Sequence, residues 1–207
     1  MRITKEAKER NRIKILEVAE RLFAENGYEN TTTRDISSTS GIAKGTLFNY
    51  FSSKETLAMI MVEQAMESGR KMYLRRRSGD ESLAEEIFLF ISSELRALKS
   101  FRRYIGPVLE SSMSIFEKKN ICLAGKQART SHLKTIRDIL ASHGYQMEND
   151  SIPVTLYWAL YLGILAHWSG DVTKNQTETL ALVDYSVQTF VNTISTNIDV
   201  RGAACNE

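Results

Sequence analysis

Apolar residues recur along this chain at three- and four-residue intervals nearly throughout, and alternating runs are few, so the pattern predicts helices rather than strands. In the first segment Ile15, Leu16, Ala19, Leu22 and Phe23 form one stripe. That stripe predicts a helix from about Thr4 to Asn26, ended by Gly27 as a left-handed cap, with Tyr28 folded back against it. Two short helices follow. A long helix is expected from about Ser53 to Arg75, opened by a capping box at Ser52-x-x-Glu55 and closed by the polar turn "RRRSGDES". Five more helices are expected after it. The first spans about Ser82 to Lys99, with Leu83, Ile87, Phe90, Ile91 and Leu95 inward. The others span about Pro107 to Glu117, Leu123 to Ser142 (ending at Gly144), Ser151 to Trp168 with Pro153 in the first turn, and Thr177 to Ser195 before a frayed tail. The expected fold is all-α: an N-terminal three-helix helix-turn-helix module, residues 1–52, joined by a long helix to a larger helical body, residues 53–207.

The stretch "TTTRDISSTSGIAKGTLFNYFSSKETL", Thr31 to Leu57, holds the densest pattern of chemistry. Thr32-x-x-Asp35 is a helix start, with the threonine oxygen capping and Asp35 near the positive helix end. Ser37 is small, and Gly41 follows where a sharp turn tolerates little side chain. A second short helix is expected from about Lys44 to Phe51, in which Leu47 and Phe51 share the inward face. Short helix, glycine turn and short helix make a helix-turn-helix, whose second helix enters the major groove of DNA. Lys44, Thr46, Phe48, Asn49 and Tyr50 are left for other faces. Phe48 and Tyr50 are then either further core aromatics or residues facing the groove.

Charge sharpens this picture where the bulk figure does not. The formal net charge is +2, yet residues 1–54 alone carry +3. Arg2, Lys5, Lys8, Arg10, Arg12 and Lys14 face only Glu6 and Glu9. Such an arm suits a polyanion or a solvated helix start. Two distant cysteines, Cys122 and Cys205, suggest neither a disulfide framework nor a zinc site, and a reducing, cytoplasmic setting is expected. The run "IPVTLYWALYLGILAHW" falls short of a membrane span and is interrupted by Pro153, Thr155, Gly163 and His167. No nucleophile–base pair, paired-carboxylate spacing or glycine-rich phosphate loop stands out, so no catalytic residue, cofactor or metal is expected. His132 and His143 read as surface residues of one helix, and His167 as a core or interface histidine.

The stretch "ILEVAERLFAENGYENTTTRDISSTSGIAKGTLFNYFSSKETL", Ile15 to Leu57, resembles the TetR family of transcription regulators. The resemblance lies in the Gly-Tyr ending the first helix, the threonine opening the second, the glycine turn, the Lys-Gly start of the third, its aromatic run and the closing Lys-Glu. It departs at Ser37 and Ser40, where alanines are usual. Ala43 replaces a usual serine and loses a helix cap, Phe48 stands where tyrosine is common, and Tyr50 replaces a histidine. The resemblance implies a ligand-responsive repressor that reads a palindromic operator in double-stranded DNA as a homodimer. It assigns Thr32, Lys44, Tyr50 and Lys54 to phosphates, and Arg34, Gly45, Thr46, Phe48 and Asn49 to base edges. It further implies dimerisation through the last two helices, whose pattern also allows an internal core. It also implies a small, largely apolar effector in the body. Tyr73, Phe88, Tyr104, Met113, Phe116, Trp158 and Tyr161 are candidates to line that pocket, each of which could instead be plain core. The competing reading is a DNA-tethered adaptor that recruits a protein partner and senses no small molecule.

Overall fold

The computed structural model describes residues 4–112, 122–146 and 152–204. Among these residues there are nine α-helices, two 3-10 turns (Lys99–Phe101 and Lys174–Gln176) and no strand. The helices are α1 (Lys5–Asn26), α2 (Thr33–Ser40), α3 (Lys44–Tyr50), α4 (Lys54–Arg76), α5 (Leu83–Ala97), α6 (Ile105–Ser112), α7 (Leu123–Ser142), α8 (Ile152–Gly170) and α9 (Thr177–Ala204). Local chemistry accounts for most of the ends. Thr4 caps α1 through Ala7, and Gly27 closes it at φ +83°, its N–H donating to the Phe23 carbonyl. Ser82 and Glu85 form a reciprocal capping box on α5.

Three ends differ from the sequence pattern. The cap of α4 is Ser53, whose hydroxyl accepts from the Thr56 N–H, while Ser52 pairs with the Thr56 hydroxyl. The expected Ser52–Glu55 box is therefore one residue out of place. α6 begins at Ile105, which still leaves Pro107 in the first turn, where a missing N–H costs nothing. The remainder of the expected helix to Glu117 lies outside the described residues, as does Ser151. α9 continues to Ala204, beyond the expected end at Ser195. No described helix is long and apolar enough to cross a membrane.

The chain packs as two compact units. One comprises residues 1–65 with 99–128, the other residues 66–98 with 129–207. In the first, α1 packs on α2 and α2 on α3. Ile15, Ala19, Phe23, Ile36, Leu47, Phe51 and Leu57 fill its core. Phe23 lies edge-on to Tyr28 at 5.2 Å and to Tyr104 at 5.5 Å, and Phe101 joins from the far side of Tyr104 at 5.8 Å.

In the second unit α9 packs on both α5 and α8. Phe90, Ile136, Leu140, Tyr161, Trp168, Val183 and Phe190 are buried there. α4 and α5 cross closely: a Cβ on Gly69 would lie 2.6 Å from the Glu94 Cα. The α8–α9 connection is clasped by Asp171. One carboxylate oxygen accepts from the Thr173 N–H at 2.8 Å, the other from the Thr179 N–H at 3.0 Å and from its hydroxyl at 2.6 Å. These bonds hold the Asp171 carboxyl well below its ordinary value of 3.8, the threonine hydroxyls contributing most.

Candidate nucleic-acid interface

The helix-turn-helix is built from residues that satisfy one another. Thr32 and Asp35 form a reciprocal capping box: the Asp35 N–H donates to the Thr32 hydroxyl, and the Thr32 N–H donates to the Asp35 carboxylate at 2.8 Å. Gly41 supplies the turn at φ +67°, where any other residue would be strained. The two serines at usual alanine positions do more than fit. The Ser37 hydroxyl donates to the Ile42 carbonyl at 2.6 Å, and the Ser40 hydroxyl donates to the Ser37 carbonyl at 3.1 Å, both buried. Each stitches the α2 end of the turn. Ala43 caps α3 without a side-chain bond, as the missing serine implied.

α3 divides by direction. Leu47 is fully buried and Phe51 nearly so, whereas Phe48 is 41% exposed. Lys44, Gly45 and Asn49 are exposed too, and Thr46 and Tyr50 half-buried. Thr32 and Arg34 lie exposed at the start of α2. A Cβ at Gly45 would meet nothing within 4 Å, so open space lies in front of it. The Lys44 ammonium sits 5.9 Å from the centre of the Phe48 ring. The helix thus presents a cation, a flat apolar ring, a carboxamide and a bare backbone patch on one side. Such a set can meet phosphates, thymine methyls and adenine edges.

Two residues assigned to phosphates are already engaged. Lys54 donates to the Tyr28 carbonyl at 2.8 Å and lies 4.2 Å from the centre of its ring. An ammonium has three N–H donors, so that bond fixes its direction and leaves two. Tyr50 accepts a hydrogen bond from the Asn11 side chain at 3.4 Å.

Of the residues expected to line a pocket, Tyr104 falls in one unit and Tyr73, Phe88, Trp158 and Tyr161 in the other. Tyr104 belongs to the first unit, packed against Phe23 and Tyr28. Met113 and Phe116 lie outside the described residues. Tyr73 is buried and donates to Glu86, whose carboxylate also meets Arg77 and His143. Burial, with the Glu86 carboxylate, pushes its phenol up to about 12. Phe88 is half-buried and lines an open cavity of about 670 Å³ with Arg76, Ala84, Leu89, Leu180 and Asp184. Trp158 and Tyr161 are almost wholly buried around His132.

That histidine corrects the sequence reading. His132 is buried, not superficial, and its Nδ1 lies 2.8 Å from the Glu94 carboxylate, its Nε2 2.9 Å from the Tyr157 hydroxyl. The Tyr161 hydroxyl donates to the same Glu94 oxygen at 2.8 Å. Burial first, and then Glu94, raises both phenols well above their ordinary range. A signal for this cluster existed. Ala128, His132, Ile136 and Leu140 recur every fourth residue, and Ile87, Phe90 and Glu94 fall three and four apart, so both polar residues sit on apolar stripes. His143 follows α7 and bonds Glu86, and His167 is exposed rather than in the core.

An all-helical chain whose α2–turn–α3 exposes such a face has the fold of a helix-turn-helix regulator. Residues 15–59 match the family model described as bacterial regulatory proteins, tetR family. The regulator TtgR of Pseudomonas putida is 31% identical over 157 residues, covering 74% of this chain and 73% of that protein. The chain belongs to the TetR family. It spans only about half the length of other curated relatives, among them the repressor AcnR of Corynebacterium efficiens, 35% identical over 44% of this chain and 54% of that protein. The fold agrees with the crystal structure of a TetR transcriptional regulator from Nitrosomonas europaea, at a TM-score of 0.65 and 19% identity, covering 87% of this chain and 97% of that one.

Proposed function

We propose that the chain is a transcriptional repressor that binds a palindromic operator as a homodimer and is released by a small, largely apolar effector, in the cytoplasm. The observation that carries the DNA half is the split of α3, with Leu47 and Phe51 inside and Lys44, Gly45, Phe48 and Asn49 outside. In this reading Thr32, Lys44, Tyr50 and Lys54 set the register on phosphates, and Arg34, Gly45, Thr46, Phe48 and Asn49 face base edges. Dimerisation is supported by α8, which leaves Ile152, Leu156, Ala159, Gly163 and Ala166 exposed along one stripe, flanked by Thr155 and His167. Repression is supported by relatives that carry that name.

Fluorescence-anisotropy titration of a duplex selected by the protein from a randomised library tests the reading. Expected are a twofold-symmetric sequence, a stoichiometry of an even number of chains, and affinity falling steeply with salt. Failure to enrich any duplex sinks it. Leu156→Glu, at an exposed position, is expected to yield folded monomers by sedimentation.

A second reading, the adaptor without a small-molecule ligand, is favoured by one observation. Tyr73, Trp158 and Tyr161 are nearly fully buried, and the two tyrosine hydroxyls are satisfied by Glu86 and Glu94 rather than turned into open space. A thermal-shift screen of apolar small molecules separates the two. A hit that both raises the melting point and weakens DNA binding supports the effector, and a broad screen without one supports the adaptor.

A further inference from the structure

We infer that Asn11, on α1 and outside the helix-turn-helix, is a positioning residue for DNA recognition: it holds the Tyr50 hydroxyl so that the phenol proton is left for a phosphate. The inference rests on the DNA-binding reading above. Tyr50 is the last residue of a seven-residue helix whose N-cap makes no side-chain bond, so little within α3 fixes where its hydroxyl points. The fixing comes from 39 residues away. The Asn11 Nδ2–H donates to the Tyr50 hydroxyl at 3.4 Å, between two half-buried side chains.

The direction of that bond matters. An amide nitrogen donates and does not accept, so the phenol oxygen is the acceptor and its own proton remains available. Accepting one bond also polarises the O–H and makes it a better donor to an anion. α1 is a firm support for this task. Asn11 stands one turn before Ile15 on the same face, and Ile15, Ala19 and Phe23 anchor that face with at most 1% exposure. The Tyr50 ring is meanwhile held beside Phe51, 6.4 Å between centroids, so the hydroxyl is the part of the side chain that α1 has to steer.

A mutant cycle tests this with the full chain and a duplex selected by the wild-type protein from a randomised library. Asn11→Leu keeps the branched shape and removes the donor, and is expected to bind about fivefold more weakly, as is Tyr50→Phe. The pair is expected to lose no more than Tyr50→Phe alone, because both remove one chain of bonds. Asn11→Asp, which can only accept, turns the phenol proton inward and is expected to bind at least as weakly as Asn11→Leu. Asn11→Ala repeats the cycle if the leucine variant fails to fold. Wild-type affinity in both Asn11→Leu and Asn11→Ala overturns the inference, and so does an equal loss with and without the Tyr50 hydroxyl. If selection enriches no duplex, the DNA-binding reading itself has failed and the inference falls with it.

Discussion

Gly69→Ala tests a close approach in the second unit. Gly69 lies inside α4, where alanine is ordinarily better than glycine by about 1 kcal/mol. A free helical glycine would therefore be stabilised by the change. Here the new Cβ would stand 2.6 Å from the Glu94 Cα and 3.1 Å from both its Cγ and its backbone nitrogen. Ordinary contact begins at 3.4 Å, and the nearest obstacle is backbone, which cannot swing aside. α4 and α5 must therefore separate locally, an overpacking that costs about 1–3 kcal/mol. Glu94 is also the acceptor for Tyr161 and the partner of His132, so the same displacement strains buried bonds worth about 1.5–3 kcal/mol each when a charged group is involved. The net expectation, after the propensity gain, is a loss of about 2 kcal/mol. Urea unfolding at pH 7 should show a lower midpoint at unchanged slope, and melting should fall by about 4–8 °C. A variant more stable than wild type by about 1 kcal/mol would refute the close crossing.

Three further outcomes are expected. Gly45→Ala meets open space in the free protein, so it should leave melting equal or higher while weakening binding of a selected duplex by about tenfold or more, and unchanged affinity would remove Gly45 from the interface. Ser37→Ala leaves the Ile42 carbonyl without its donor and should cost about 1 kcal/mol in urea unfolding, with no cost meaning that the hydroxyl does not support the turn. For Asp171, whose carboxyl is depressed in the folded chain, the unfolded chain takes up the proton first as pH falls. Its stabilisation is therefore complete above about pH 5 and is lost progressively below the ordinary value. Asp171→Asn should melt lower at pH 7 and show a shallower decline between about pH 5 and 3, and parallel melting curves across that range would show that the carboxylate is not the group responsible.

What the sequence disclosed depended on how local the cause was. Thr32 with Asp35 and the glycines at 27, 41 and 144 act within a few residues, and each marks an element end. Leu47 against Phe48 follows from helical spacing alone. Ser53 was missed as the α4 cap because Ser52, its neighbour, offers the same chemistry one residue earlier. The polar centre of the second unit was missed for a different reason. Glu94, His132, Tyr157 and Tyr161 come from three helices, and no pattern within any one helix names its partners. That Tyr104 packs against Phe23 of α1 is a long-range choice that periodicity does not encode.

The Asp171 clasp has a bearing on assembly. By accepting from Thr173 and Thr179, it ties the end of α8 to the first turn of α9 within a single chain. In the homodimer proposed above, with α8 and α9 at its interface, the ordering of that hairpin would be complete before the encounter. Association then gives up mainly translational and rotational freedom rather than backbone freedom, which favours a pre-shaped surface and a partner recognised by fit.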